Sequence, residues 1–91
     1  MPRFLDHHAK MPPMPPAAME QGKKMLEQMK ADIKAKKADK FGVTPVNVFM
    51  GANGESWCLT DGPDVNAVIK AHEAHGAKLT KNDIVEVSPL V

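Results

Sequence analysis

The sequence feature that most constrains the fold is a tight turn between two short apolar segments in the middle of the chain. Residues 43–50 place apolar side chains at every second position, and residues 55–60 form a second segment of strand-like composition. Between them, Asn53-Gly54 is a pair that accepts the positive φ angles that hairpin turns require. The pattern predicts two antiparallel strands joined by a hairpin.

Amphipathic helical segments are predicted on both sides of this hairpin. From about residue 17 to 38, apolar residues recur at steps of three and four, after a proline-rich run whose last proline suits a helix start. Lys40-Phe41-Gly42 supplies a stop for this helix. Asp64 is a suitable N-cap for a second helix, which Gly76 ends. Residues 3–8 and 84–87 are the remaining predicted strands.

The predicted order is strand, helix, hairpin, helix, strand, which is the βαββαβ arrangement of ferredoxin-like α+β domains. Right-handed crossovers give an antiparallel sheet of strand order 4-1-3-2 with both helices on one face. Residues 1–91 form a single domain of this kind. The other face of the sheet has apolar positions and no helix to cover it. We therefore expect a homodimer of the dimeric α+β barrel type.

The charges favour neither a nucleic acid nor a membrane as a partner. The chain has 12 basic and 11 acidic residues, and the lysines of the first helix alternate with acidic residues without aromatic neighbours for base stacking. No long apolar run follows the amino end, and a single cysteine cannot form an internal disulfide. These features predict a cytoplasmic protein that binds neither nucleic acid nor membrane.

Metal-capable side chains stand at three places that the predicted fold brings to one end of the sheet. Asp6 and His8 lie in the first strand, Cys58 lies in the neighbouring third strand, and the second helix returns to the same edge with His72 and His75. Imidazole, carboxylate and thiolate are ligands of transition metals. The pattern predicts a divalent metal site nucleated by Asp6, His8 and His72, with His75 and Cys58 as completing ligands.

Each of these residues also has a simpler interpretation. His72 follows the apolar stripe of its helix, where a hydrogen-bonded core histidine is common, and His75 suits the negative end of a helix dipole. Cys58 can be a small core residue. Asp6 is harder to explain in this way, because a buried carboxylate is costly unless it is paired or metal-bound. Topology leaves open whether Asp6 and His8 face the helices or the uncovered side.

Several segments carry a resemblance to a known family. Residues 4–8 are similar to an Asp-x-His opening strand, and residues 57–63 are similar to a Phe-Cys-Leu-x-x-x-Pro strand. Residues 71–76 and 83–87 resemble the last helix and last strand of the same family, which comprises small ferredoxin-like proteins long described only as a domain of unknown function. One member is described as a nickel-binding dimer. The resemblance implies nickel as the metal and ligands at Asp6, His8, Cys58, His72 and His75, whereas His7 stands where the family tends to have an apolar residue.

Other functions remain compatible with the sequence. Zinc and copper(II) accept the same imidazole and carboxylate ligands as nickel. The methionines, Met11 and Met14 among them, would suit copper(I), although core packing of Met25 and Met29 accounts for part of this set. A Cys58/His72 pair can act as nucleophile and base in a small dimeric enzyme for a hydrophobic substrate. A structural dimer without any ligand is a further alternative. We expect a metal-binding or metal-responsive protein rather than an enzyme.

Overall fold

Four strands and two helices follow one another in the predicted order in a computed structural model, which describes residues 1–10 and 13–90. The strands are β1 (Arg3–His8), β2 (Thr44–Met50), β3 (Ser56–Asp61) and β4 (Ile84–Val87), and the helices are α1 (Pro16–Ala35) and α2 (Val65–Ala74). The sheet has the order β2-β3-β1-β4 with antiparallel pairing throughout. The ferredoxin-like α+β fold and the order 4-1-3-2 are thereby confirmed. Met11 and Pro12, part of the proline-rich run, lie outside the described residues.

Helix α1 begins where its sequence predicts and ends earlier. Pro16 occupies the first turn, where a missing backbone N–H leaves no bond unmade. The helix ends at Ala35, before the expected residue 38, because Lys36 takes a left-handed conformation with φ 52°. Gly42 has the predicted positive φ of 79°, but it lies in the turn before β2, where its N–H donates to the Asp39 carbonyl. The predicted role of Gly42 as a helix stop is therefore wrong.

Helix α2 supplies most of the helical contribution to the core. The Asp64 side chain accepts a hydrogen bond from the Ala67 N–H at 2.8 Å, as expected of an N-cap. The buried residues Ala67, Val68 and Ala71 form the stripe that faces the sheet. They pack with Phe4 of β1 and Val43 into one hydrophobic cluster.

The two faces of the sheet differ in cover. Phe4 and Asp6 are 2% and 0% exposed, so alternate residues of β1 lie beneath the helices. Because side chains alternate along a strand, Leu5 and His7 lie on the opposite, uncovered face. Asp6 and His8 are therefore on the helix-covered face, which the topology predicted from the sequence could not decide.

Helix α1 packs loosely in comparison with α2. None of its residues is buried, and the side chains of Met25 and Leu26 are 45% and 44% exposed. The expectation that Met25 fills the core is therefore wrong, although Met29 is partly buried. Among the described residues, no helix combines the length and the apolar character needed to cross a membrane.

Candidate metal centre

Asp6 is the centre of a polar cluster inside the fold. In the strand register it stands opposite Cys58 of β3, and residues opposite each other in an antiparallel pair share a face. His8 follows two residues later and therefore lies on the same face. The sheet thus places a carboxylate, a thiol and an imidazole next to one another beneath α2.

His72 reaches this cluster from the helix. It follows the fully buried Val68 by four residues, so it continues the apolar stripe, and its side chain is only 13% exposed. Its Nδ1 lies 2.8 Å from the Val68 carbonyl oxygen. Since a carbonyl oxygen can only accept, Nδ1 carries the proton and donates it. In the neutral ring, the free lone pair is then on Nε2, which faces Asp6.

Four donor atoms converge in this place. The ligand atoms of Asp6, His8, Cys58 and His72 all lie within 4.8 Å of one another. His8 Nε2 is 2.7 Å from Asp6 Oδ1, and His72 Nε2 is 3.3 Å from Asp6 Oδ2. Cys58 Sγ is 3.5 Å from His8 Nε2, and the two imidazole rings stack with centroids 5.3 Å apart. This is a group of residues able to hold a metal ion.

Two of the distances between donor atoms agree with those around a four-coordinate ion. Nitrogen, oxygen and sulfur ligands at ordinary bond lengths around a tetrahedral ion are separated by roughly 3.3–3.7 Å. The contacts of 3.3 Å and 3.5 Å match this separation, whereas the group as a whole is bounded only by 4.8 Å, so some side chains must move closer to bind one ion. The His8–Asp6 contact of 2.7 Å is shorter, so this pair must move apart by less than about 1 Å to admit an ion between them.

The environment of the Asp6 carboxylate shows whether a cation fits in the cluster. Both of its oxygens are buried, and neither has a hydrogen-bond partner among the described residues. The nearest polar atoms are His8 Nε2, 2.7 Å from Oδ1, and His72 Nε2, 3.3 Å from Oδ2, which are ion-pair distances if a ring is protonated. A buried carboxylate is strongly disfavoured unless a cation neutralises it, and a protonated His8 or a metal ion held by the same side chains can be that cation. The donor set and its orientation therefore fit a metal ion.

Electrostatic effects within the cluster also bear on its chemistry. The close Asp6 carboxylate raises the pKa of His8, while burial acts in the opposite direction. Burial, reinforced by the charge of Asp6, raises the pKa of the Cys58 thiol to about 12. Without a metal the thiol therefore stays protonated near neutral pH, which argues against Cys58 as the nucleophile of an enzyme. A metal ion replaces such a proton when it binds.

The two remaining histidines lie outside the cluster. His75, expected as a completing ligand, is the exposed C-cap residue of α2 and is not a member of the converging group. This part of the expected ligand set is not supported, because the helix ends at Ala74 and its last stripe position is His72. His7 lies on the uncovered face, where its Nε2 is 2.8 Å from Glu55 and its ring is 5.4 Å from that of Trp57.

The Val68 carbonyl, which orients the His72 ring, was not predicted from the sequence. Its position four residues before His72 is a signal that could have indicated it.

Comparisons of the chain with protein-family models, with curated proteins and with solved structures found no match.

Proposed function

We propose that this protein binds one divalent transition-metal ion through Asp6, His8, Cys58 and His72. The observation that carries the proposal is that the fully buried Asp6 carboxylate and three other metal-capable side chains bring one ligand atom each within 4.8 Å of one another. A charged carboxylate inside a hydrophobic core lowers the stability of the fold, and a bound cation offsets this energetic cost. The His72 Nδ1–H donates to the Val68 carbonyl, which leaves Nε2, 3.3 Å from Asp6 Oδ2, as the ring atom that can bind a metal ion.

The donor set narrows the choice of metal. Two imidazoles and a carboxylate suit nickel, zinc and copper(II), and a thiolate favours zinc-like coordination. We propose nickel first, on the strength of the resemblance to the ferredoxin-like family with a nickel-binding member, and zinc as its main competitor. The exposed Met14, Met19 and Met25 are surface side chains and do not argue for copper(I).

The proposed role is to hold or sense the ion rather than to use it in catalysis. In the tetrahedral geometry of zinc, four protein donors complete the shell, whereas catalytic sites keep one position open for water or substrate. A metal-binding or metal-responsive protein of the cytoplasm fits these features, since a free thiol persists as a ligand in a reducing compartment. A metal ion bound by all four residues stabilises the fold, because it links α2 to the two central strands.

Native mass spectrometry of protein without a histidine tag tests this proposal. The protein is first treated with a chelator and then supplied with nickel or zinc at one equivalent per chain. We expect a single ion per chain, retained in the folded charge states and removed again by chelation. A chain that retains neither ion would contradict the proposal. Supplying both ions together shows which one the site prefers.

A further inference from the structure

A small groove lies at the corner of the sheet where β4 begins. The first residue of β4, Ile84, pairs with Asp6, so the last two residues of β1 extend beyond the end of β4. A short 3-10 turn, Lys81–Asp83, precedes β4 and contacts β1. The groove between these segments has a volume of about 170 Å³. Its lining includes Leu5, His7, Trp57, Asn82, Asp83 and Val85.

Two aromatic rings that line the groove are held in place by their neighbours. His7 and Trp57 stand opposite each other on β1 and β3, with ring centroids 5.4 Å apart. The indole also packs against the hairpin turn, because a Cβ atom on Gly51 would lie 3.0 Å from Trp57 Cζ3. Leu5 and Val85, which are cross-strand partners, supply the aliphatic part of the lining. A tryptophan ring that is already fixed can bind a cation without a further loss of side-chain entropy.

Asp83 supplies a carboxylate in a defined orientation. Its Oδ2 accepts hydrogen bonds of 3.0 Å from both the backbone N–H and the hydroxyl of Thr80. These bonds fix the side chain and lower the pKa of Asp83, so that the carboxylate is ionised near neutral pH. Because Oδ2 already accepts two hydrogen bonds, Oδ1 is the oxygen that can accept another from a ligand.

The remaining charges of the groove do not favour an anion. His7 Nε2 is 2.8 Å from Glu55 Oε2. With an ionised Glu55, this pair is neutral when His7 is protonated and negative when His7 is neutral, so it never carries net positive charge. Of the described residues that line the groove, none is lysine or arginine. An ionised carboxylate beside an aromatic ring is the combination that recognises an organic cation.

We propose that this groove binds a small primary amine in its ammonium form. The ammonium group donates a hydrogen bond to Asp83 Oδ1 and lies near the Trp57 ring, and the alkyl chain packs on Leu5 and Val85. Sites for drug-sized ligands measure roughly 300–1,000 Å³, and the smaller volume of this groove favours a free amine of a few carbon atoms. The amine site does not depend on the proposed metal, because the four proposed metal ligands lie on the helix-covered side of the sheet.

Titration of the metal-free protein with butylammonium chloride, in the presence of a chelator, tests this site. Butanol has the same chain without the charge, and butyrate carries the opposite charge. Binding is followed by NMR through the indole N–H signal of Trp57, the chain's single tryptophan. We expect saturable shifts with butylammonium, and binding of butanol and butyrate that is weaker by roughly tenfold or more. Equal affinity for butanol, or the lack of saturable shifts with butylammonium, would overturn the proposal.

A matched pair of variants locates the charge that binds the amine. Asp83→Asn removes the charge but keeps an oxygen that can accept from Thr80, and Glu86→Gln changes an exposed carboxylate on the other side of β4. We expect affinity for butylammonium to fall roughly tenfold in Asp83→Asn and to be unchanged in Glu86→Gln. Unchanged affinity in Asp83→Asn would refute the site, as would a lysine tripeptide that binds more tightly than butylammonium, since the occupant would then be a protein side chain.

Two further comparisons keep the result decisive. If Asp83→Asn fails to fold, the three probes on the wild type still decide whether the groove prefers an ammonium ion. Asp6→Asn should bind butylammonium like the wild type, because Asp6 lies on the other face of the sheet. Loss of amine binding in Asp6→Asn would contradict a separate site, whereas loss of metal binding alone would leave the amine site intact.

Discussion

Asp6 and Cys58 are cross-strand partners on β1 and β3, and their side chains share the helix-covered face of the sheet. The carboxylate adds to the effect of burial in raising the pKa of the Cys58 thiol to about 12. Neither group is well accommodated as an anion unless a cation lies nearby. Their pairing therefore favours a bound metal ion, to which each can contribute one negatively charged ligand.

Replacing Asp6 by Asn should abolish most of the stabilisation that a metal gives. The change keeps the shape of the side chain but removes the only carboxylate of the cluster. For the wild type, metal at a hundred times the dissociation constant should add about 2.7 kcal/mol to the free energy of unfolding. We expect thermal unfolding of Asp6→Asn to be nearly insensitive to added metal. Asp32→Asn on α1 is the control, and it should respond like the wild type.

Cys58 should lose its proton when the metal binds. Because the pKa of the thiol is about 12 in the metal-free protein, the proton is present at neutral pH and must be released on coordination. Calorimetric titration in two buffers of different ionisation enthalpy measures this release. We expect Cys58→Ser to release about one proton fewer per ion than the wild type. Equal release from both proteins would show that the sulfur is not a ligand.

The stability of the metal-free protein should fall as the pH rises through the titration of His8. The Asp6 carboxylate raises the pKa of His8 above its ordinary value of 6.5. A raised pKa in the folded state means that the contribution of His8 is fully present below pH 6.5 and is lost as the pH passes the higher, folded value. Metal affinity should change in the opposite direction, since protons compete for Nε2.

Unfolding temperatures measured across this pH range, in the presence of a chelator, check the expectation. His8→Gln should remove the His8-dependent part of the pH dependence, whereas His75→Gln, at an exposed position outside the cluster, should retain it. A wild-type stability that rises as the pH increases from 6.5 to 8 would be inconsistent with a protonated His8 beside Asp6.

Phe4 and Met25 should differ sharply in how much truncation to alanine destabilises the fold. Phe4 is 2% exposed and packs with α2, so Phe4→Ala should lower the free energy of unfolding by about 3–5 kcal/mol. Met25 is 45% exposed, so Met25→Ala should change it by less than about 0.5 kcal/mol. Chemical denaturation of both variants measures the difference. A large loss of unfolding free energy in Met25→Ala would mean that α1 packs more tightly against the sheet than its exposed side chains indicate.

The sequence was sufficient for the order and pairing of the elements because local signals determine them. Asn53-Gly54 indicated the hairpin, and Asp64 and Gly76 marked the ends of α2. With these elements identified, the right-handed crossover rule left few ways to order the four strands. The end of α1 was harder to predict, because a left-handed Lys36 has no signature in the sequence.

The candidate site was predicted in part for a physical reason. Alternation along β1 showed that Asp6 and His8 share a face, but a strand with polar residues on both sides does not reveal which side the helices cover. Helical periodicity correctly placed His72 on the buried stripe. It did not exclude His75, because that depends on the residue at which α2 ends. The contribution of Cys58 followed from a register that only the folded sheet establishes.

Calorimetric titration of three tag-free proteins tests the central claim most directly: the wild type, His8→Ala combined with His72→Ala, and His75→Ala. We expect the wild type and His75→Ala to bind one nickel or zinc ion per chain with similar affinity. The double variant, which lacks both imidazoles of the cluster, should lose roughly 100-fold or more in affinity. Unchanged affinity in the double variant, or a comparable loss in His75→Ala alone, would contradict a metal site formed by Asp6, His8, Cys58 and His72.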